Sequence, residues 1–300
     1  MARLRRRYRN GAAACVAWMV VAVLSYSAQA ALAQDDPATE PADEPAREAG
    51  LVEYLADRFS PHEPMYFLWG DERPNVKFQI SLKYQLFNPE GSLSRDVPAA
   101  RGVYVAYTQL SFLDSQGTTS VDSSYMPALL FQYEDLFRDR LPSWLAELDV
   151  QVGLQHESNG QTGVESRSLN IAYVRPVFSF GDPHGRDHGW FASAAPRVFG
   201  YVSSLDENPD INDFRGHADL RLIVGRFEGL QLASIVRIPD DFDFGNAGSL
   251  QLDLSYPLRK LSGNNLDLYL HAQYFTGYGE TLVGYDQKDD TFRVGLSIVR

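Results

Sequence analysis

From about residue 64 to the C-terminus, the chain repeats short segments in which apolar and polar residues alternate. Side chains point to opposite faces of a β-strand in turn, so each segment has one apolar and one polar face. In residues 76–86 the apolar face consists of Phe78, Ile80, Leu82, Tyr84 and Leu86. The same alternation recurs over residues 144–158, 249–256, 265–275 and 291–299. This pattern predicts an all-β protein.

Two architectures accommodate such strands: a soluble sandwich or barrel with its apolar faces inward, and a transmembrane barrel with those faces toward lipid. The segments have about nine to eleven residues, the length of a tilted strand that crosses a bilayer. Their polar faces carry many charged side chains, which suit a barrel interior. Aromatic residues near the segment ends resemble an interfacial girdle: Trp69, Tyr84, Trp144, Trp190, Tyr256, Tyr274 and Phe275. These features favour the membrane, with a soluble all-β protein as the alternative.

We therefore predict a transmembrane antiparallel up-and-down β-barrel of about 12 strands. The predicted strands lie near residues 64–70, 76–87, 102–113, 125–133, 146–157, 168–180, 189–202, 214–227, 229–238, 248–257, 265–276 and 290–300. An even number of strands places both termini on the periplasmic side and leaves no free sheet edge. Tight turns are expected on that side and longer polar loops on the outside.

The N-terminus has the features of a secretory signal. Five arginines precede a short apolar run over residues 12–24, and Ala31-Leu32-Ala33 fits a small-residue cleavage site. A single membrane anchor is the alternative. We predict a signal peptide over residues 1–33, a disordered acidic and Pro-rich arm over 34–60, and the barrel domain over 61–300.

Removal of the signal peptide changes the charge and the redox chemistry of the chain. It takes away the five arginines and Cys15, so the mature chain has 22 basic residues against all 39 acidic ones and forms no disulfides. This acidity argues against nucleic acid as a partner, because binding to phosphates needs a basic surface.

The segment from His156 to Asn170 contains a candidate reactive group. The apolar residues of this strand, up to Leu154, occupy even-numbered positions. If this alternation (the parity of the strand) continues, His156 and Ser158 lie on the lipid-facing wall and Glu157 in the interior. On the following strand Asn170 also faces outward. Polar side chains that face hydrocarbon are costly, so they indicate function by default.

The three outward side chains suit nucleophilic catalysis. His156 would take the proton of Ser158 as it attacks an ester carbonyl, and Asn170 would orient the imidazole, as Asn does in the Cys-His-Asn proteases. The backbone N–H of Gly160 is a candidate oxyanion donor. The alternative is a turn at Asn159-Gly160 flanked by polar residues at the membrane surface.

Residues 156–173 resemble the signature of the outer-membrane phospholipase A family, H-x-S-N-G followed by S-R-S-x-N-x-x-Y, without a gap. Stretches such as "AYTQLSF", "DENPDI" and "TGYGETLVGYD" are similar to the family too. The resemblance implies a twelve-stranded outer-membrane barrel that hydrolyses phospholipid acyl esters, of A1, A2 and lysophospholipase type. It also implies that Ser158 is the nucleophile, His156 the base and Asn170 the orienting residue.

The same resemblance implies calcium dependence and activity as a homodimer. Ser166 and the main-chain carbonyl of Gln161 match calcium (Ca2+) ligands, and Gln109 matches a glutamine at the dimer interface. The resemblance also implies that the partner subunit supplies a serine as a calcium ligand. By spacing, the matching position in this chain is Gly117, so Ser115 or Thr118 would have to bind calcium in its place. Other departures are Gly163 in place of an Asp, Leu169 in place of a Trp, and a non-aromatic C-terminal residue, Arg300.

Two other functions are compatible with these residues. One is a different lipid-ester hydrolase, such as a lipid A deacylase with an outward Ser-His pair. The other is a passive pore or structural barrel. His184 and His188 lack a complete set of metal ligands and are predicted to be loop residues, whereas His217 and His271 are predicted to face the interior.

Overall fold

The computed structural model describes residues 58–114, 120–185, 189–262 and 267–300. The predicted signal peptide, most of the predicted arm, Gly117 with its possible substitutes, and His188 lie outside these residues. Residues 59–300 form one compact unit. No helix in the described ranges is long and apolar enough to cross a membrane.

The described part of the chain contains thirteen strands in a single antiparallel sheet, in which β2 to β13 pair in chain order and β13 pairs with β2. The strands are β1 (Phe59–Pro61), β2 (Met65–Gly70), β3 (Val76–Gln85), β4 (Val103–Leu113), β5 (Ser120–Tyr133), β6 (Glu147–Ser158), β7 (Ser168–Gly181), β8 (Trp190–Tyr201), β9 (Ala218–Arg226), β10 (Gln231–Ile238), β11 (Ser249–Pro257), β12 (Tyr269–Tyr278) and β13 (Lys288–Val299). The sheet therefore closes into a twelve-stranded barrel, which confirms the predicted fold.

The first barrel strand is longer than predicted and is interrupted. β1 pairs with Leu82–Tyr84 of β3, and β2 pairs with the earlier part of the same strand. β1 and β2 thus form one broken strand, and His62, Glu63 and Pro64 separate its halves. β1 begins at Phe59.

Within the described residues, three short helices lie in connections: α1 (Ser92–Asp96), α2 (Ile211–Arg215) and α3 (Leu258–Ser262). The strand predicted over 214–227 begins only at Ala218, because α2 occupies the preceding residues. On the side of the C-terminus, the β9–β10 connection is a tight turn, but residues 86–102 and 134–146 make long connections. The expectation of tight turns on the periplasmic side therefore holds only in part.

The outer wall is apolar, as a lipid-facing surface must be. Its exposed side chains include Phe67, Leu154, Val174, Val198, Leu222, Phe292 and Leu296. Trp69, Trp144 and Trp190 are also exposed, as expected of girdle residues. Phe275 was wrongly assigned to the girdle, because its parity places it inside, where it is 4% exposed and lies beside Lys77.

Charged pairs in the barrel interior link distant strands. Glu63, in the break between β1 and β2, accepts hydrogen bonds from Arg175 of β7 at 3.0 Å and from Arg221 of β9 at 2.5 Å. Near the opposite end, Glu280 accepts from Lys77 at 3.1 Å and from Arg293 at 2.5 Å. These ion pairs cross the interior, so the barrel has a polar core, which encloses a cavity of about 320 Å³.

Candidate active site

β6 and β7 bring the predicted triad together on the outer wall. The register pairs His156 with Asn170 and Ser158 with Ser168, directly above the exposed Leu154. His156 Nδ1 lies 3.0 Å from Asn170 Oδ1, and Asn170 Nδ2 donates to Ser203 Oγ at 3.0 Å. An amide oxygen only accepts hydrogen bonds, so His156 carries its proton on Nδ1. In the neutral tautomer that this contact favours, Nε2 has a free lone pair, as a general base requires.

Ser158 follows His156 by two residues and shares its face of β6. Two residues of strand span about 6.8 Å, so the two side chains are neighbours along the wall. No hydrogen bond joins them among the described residues, and such contacts commonly tighten only when substrate binds. Both side chains are partly exposed, so a lipid could reach them from the bilayer.

Asn159 organises the loop that follows the predicted nucleophile, a role that sequence reasoning did not assign. This residue is 3% exposed, and its Oδ1 accepts from the N–H groups of Gln161 at 3.2 Å and Arg167 at 3.0 Å. Its Nδ2 donates to the carbonyl of Glu165 at 2.7 Å. These bonds close residues 159–167 into a compact loop.

Gly160 lies at the exposed edge of this loop with a φ of 68°, a conformation that favours glycine. Added side-chain atoms would also meet the ring of Tyr125 at 3.1 Å. The hydrogen bonds within the described loop do not use the Gly160 N–H.

Glu157 points inward, opposite to its two neighbours, as its parity predicted. It is 8% exposed and accepts from Arg215 at 3.0 Å and from Ser124 at 2.8 Å. This buried pair lies on the inner face of β6, opposite the face that carries His156 and Ser158.

The predicted calcium residue Ser166 lies beside a carboxylate. Ser166 Oγ donates to Glu207 Oε1 at 3.0 Å, and Ser168 Oγ donates to Glu207 Oε2 at 2.8 Å. Glu207 belongs to the β8–β9 loop and was not predicted as a site residue, although its stretch "DENPDI" was noted. Asn208, fully buried, fixes this loop by accepting from the Ser168 N–H at 3.1 Å.

The loops on this side of the barrel pack into a small apolar cluster. Ile211 and Leu282 are fully buried there, and Tyr285 donates to Asp210. Burial and the hydrogen bond to Asp210 raise the pKa of Tyr285 to about 12, so its hydroxyl remains a donor at neutral pH. The position of Glu207 is thus supported by packing between the β8–β9 and β12–β13 loops.

Gln109 lies on the outer wall of β4 and is part of a polar strip. Tyr107 donates to Gln109 Oε1 at 3.3 Å, Gln109 Nε2 donates to Ser111 at 3.1 Å, and Ser123 donates to Ser111 at 2.9 Å. Gln109 is paired in register with Tyr125, which is in turn paired with Ser158. The strip therefore leads across the wall toward the predicted nucleophile.

Three of the four described histidines outside the triad make local contacts with carboxylates. His184 lies 2.6 Å from Glu147, His217 lies 2.7 Å from Asp240, and His271 lies 2.9 Å from Asp253 inside the barrel. Among the described residues, no three His, Cys, Asp or Glu side chains form a group that could hold a metal ion. A metal at Ser166 would therefore depend on hydroxyl and carbonyl oxygens together with Glu207.

The family model described as "Phospholipase A1" matches residues 56–298, which is most of the chain. This chain belongs to the phospholipase A1 family. Membership confirms the family resemblance seen in the sequence and the phospholipase class. The phospholipase A1 of Escherichia coli K12 is 27% identical over 235 residues, covering 77% of this chain and 72% of that protein.

Solved structures of the family share the fold. The outer-membrane phospholipase A of Escherichia coli superposes with a TM-score of 0.62 at 22% identity, over 81% of this chain and 91% of that one. The phospholipase of Salmonella typhi, solved as a dimer with bound calcium, gives a TM-score of 0.62 at 24% identity, over 81% and 92% of the two chains. Both support the twelve-stranded barrel.

Proposed function

We propose that this protein hydrolyses acyl ester bonds of glycerophospholipids, with A1, A2 and lysophospholipase activity, through Ser158, His156 and Asn170. The observation that carries the proposal is the contact between His156 Nδ1 and Asn170 Oδ1 on the lipid-facing wall, beside Ser158. A polar, oriented imidazole at this position has no evident packing role. The site opens to the bilayer, so its substrate would be a lipid of the outer leaflet.

The proposed reaction has two stages. Ser158 Oγ attacks the ester carbonyl carbon while its proton passes to His156 Nε2. The ester C–O bond then breaks, and the same proton passes to the oxygen of the leaving lysophospholipid. Water hydrolyses the acyl-serine by the same route, and the fatty acid leaves. The Gly160 N–H would hold the oxyanion in both stages.

We further propose that the enzyme is calcium-dependent. Ser166, the Gln161 carbonyl and Glu207 offer the oxygen ligands that calcium prefers, and the carboxylate adds a full negative charge. Ser115 or Thr118 of a partner subunit, near Gly117, would complete the set. Bound there, calcium would supply positive charge close to the oxyanion.

We propose that the active form is a homodimer joined along the polar strip of Gln109. A hydrogen-bonding side chain that faces lipid gains a better partner when a second barrel covers it. Dimerisation would also bring the partner's ligand to the calcium site. A monomer would then lack part of its site, which would keep the enzyme inactive until dimers form.

The proposed processing follows from the sequence. We propose that the leader over residues 1–33 directs export and that the arm over 34–60 precedes the barrel domain over 61–300. A passive pore is disfavoured by the ion pairs of Glu63 and Glu280, which cross the interior.

The test is hydrolysis of a phospholipid in detergent micelles by refolded protein, titrated with calcium and with chelator. Ser158→Ala should abolish hydrolysis, and the matched outward Ser234→Ala on β10 should leave it intact. Calcium should be required. Hydrolysis without calcium would overturn the metal assignment alone, whereas hydrolysis by Ser158→Ala would overturn the proposed mechanism.

A further inference from the structure

The side-chain amide of Asn170 makes a contact at each of its two ends. Its Oδ1 faces His156 Nδ1 at 3.0 Å, and its Nδ2 donates to Ser203 Oγ at 3.0 Å. Ser203 lies in the β8–β9 loop, 33 residues after Asn170 in the chain. The sequence pattern that predicted the triad ends at Tyr173, so Ser203 was not part of that prediction.

The orientation of this amide decides where His156 carries its proton. An amide oxygen only accepts hydrogen bonds, so it favours the tautomer with the proton on Nδ1 and a lone pair on Nε2. If Nδ2 of the amide faced the imidazole instead, Nδ1 would have to accept and the proton would move to Nε2. The imidazole could then no longer act as the base.

The torsion that turns an asparagine amide is broad, so the contact with His156 does not fix the amide plane by itself. Ser203 supplies a second contact, which breaks if the amide rotates out of its plane. A hydroxyl both donates and accepts, so Ser203 holds the plane without choosing between the two ends. The imidazole makes that choice during the reaction, because both nitrogens of the protonated ring donate and only Oδ1 can accept from it.

The backbone that carries Ser203 is anchored without help from its side chain. The Val202 N–H donates to the carbonyl of Asn170 at 2.9 Å. Further along the loop, Asn208 is fully buried and accepts from the Ser168 N–H at 3.1 Å. The start of the loop is thus attached to β7 at two places, and this attachment presents the Ser203 hydroxyl to the amide.

The adjacent serine offers an internal comparison. Within the described residues, Ser204 Oγ donates to Asp206 Oδ2 at 2.9 Å and forms no hydrogen bond with the triad. Both serines are exposed at the start of the same loop. A general need for polar side chains in this loop would apply to both serines, whereas a role in the reaction would apply to Ser203 alone.

We propose that Ser203 is a positioning residue for the reaction at Ser158: it holds the Asn170 amide in the plane that keeps the proton of His156 on Nδ1. The inference rests on the proposed function, since it assigns a further residue to the same site. No described hydrogen bond joins Ser203 to His156 or Ser158, so it acts through Asn170.

The first part of the test is hydrolysis of micellar phospholipid with calcium present. In Ser203→Ala, kcat should fall by about fivefold, the effect typical of one hydrogen bond, while KM stays unchanged because the lipid-binding surface is not altered. Ser203→Thr keeps a hydroxyl and should restore most of the rate. Ser204→Ala is the matched control and should have the kcat of the parent.

The second part reads the tautomer of His156 directly, from the ¹⁵N chemical shifts of histidine-labelled protein in micelles. The spectra are recorded at alkaline pH, where the imidazole is neutral, and the signals lost in His156→Gln assign the residue. In Ser203→Ala the share of the Nδ1–H tautomer should fall. Ser203→Thr and Ser204→Ala should keep the spectrum of the parent.

The outcomes separate this inference from the proposed function. An unchanged tautomer population in Ser203→Ala would overturn the inference, even if hydrolysis slowed, and so would equal losses of kcat in Ser203→Ala and Ser204→Ala. A changed tautomer population in a protein whose parent shows no Ser158-dependent hydrolysis would support the positioning of the imidazole and overturn the proposed function. Heat-modifiable migration on gels shows that each variant is folded.

Discussion

Arg215 Nη1 donates to Glu157 Oε2 at 3.0 Å inside the barrel, directly behind the part of β6 that carries His156 and Ser158. Both side chains are almost fully buried. Glu157 is the residue between the proposed base and nucleophile, so whatever fixes its side chain also fixes the strand that presents them. The ion pair connects this strand to α2, which precedes β9.

Glu157→Ala should lower the free energy of unfolding by about 3 kcal/mol, because it leaves the Arg215 charge buried without its partner. Hydrolysis should slow as well, since the end of β6 loses an anchor. Unfolding by urea in lipid vesicles measures the first effect. The Glu157→Ala/Arg215→Ala double variant should lose less than the sum of the single variants, and strict additivity would rule out the coupling.

Asn170→Ala should lower the hydrolysis rate at saturating calcium by about tenfold or more, because the imidazole loses the acceptor that fixes its tautomer. Asn170→Asp keeps an acceptor at the same place and should retain more activity than the alanine variant. The measurement is kcat on micellar phospholipid. Equal rates for the parent and Asn170→Ala would remove Asn170 from the proposed triad.

Glu207→Gln should raise the calcium concentration needed for half-maximal activity by about tenfold, because one of the few charged oxygen ligands near Ser166 loses its charge. A calcium titration of hydrolysis measures the change. Asp241→Asn, an exposed carboxylate on the β10–β11 loop, serves as the control. A calcium curve identical to that of the parent would show that Glu207 only accepts hydrogen bonds from Ser166 and Ser168 and does not bind calcium.

Gln109→Leu should weaken dimerisation in detergent by about threefold, the typical loss for one hydrogen bond between membrane-embedded surfaces. The dimer fraction after chemical cross-linking with calcium present measures it. Ser234→Leu makes a comparable polar-to-apolar change on the wall of β10 and should have no effect. If Gln109→Leu left the dimer fraction unchanged, the interface would have to lie elsewhere.

Stability should fall in acid because of Glu280, in the loop after β12. Burial by itself would raise the pKa of this carboxyl, but Lys77 and Arg293 lower it below the ordinary value of 4.5. A depressed pKa stabilises the fold above about pH 4.5, and this contribution disappears as the pH falls through the lower, folded-state pKa. Urea unfolding at pH 7 and at pH 3 measures it. Glu280→Gln should show a smaller drop between these two pH values, and an equal drop would contradict the assignment.

Much of the barrel was predictable because alternation is a local property. All twelve barrel strands were located approximately from the sequence, several of them from clear alternation, and the same alternation placed Glu157 inside the barrel. The girdle assignment was wrong where it followed the size of a side chain and ignored its position in the alternation. Phe275 was assigned to the girdle for its ring, although its position in β12 turns it inward.

What the sequence by itself determined is the strand pattern, the two faces of the wall and the residues of the proposed triad. The tertiary structure decided which distant groups meet: Glu207 with Ser166, Glu63 with Arg175 and Arg221, and Ser203 with Asn170. The face of the sheet on which a side chain lies is set by the local backbone, because successive side chains of a strand point to opposite faces. These contacts depend instead on barrel closure and on loop packing between segments far apart in the chain, which no local pattern encodes.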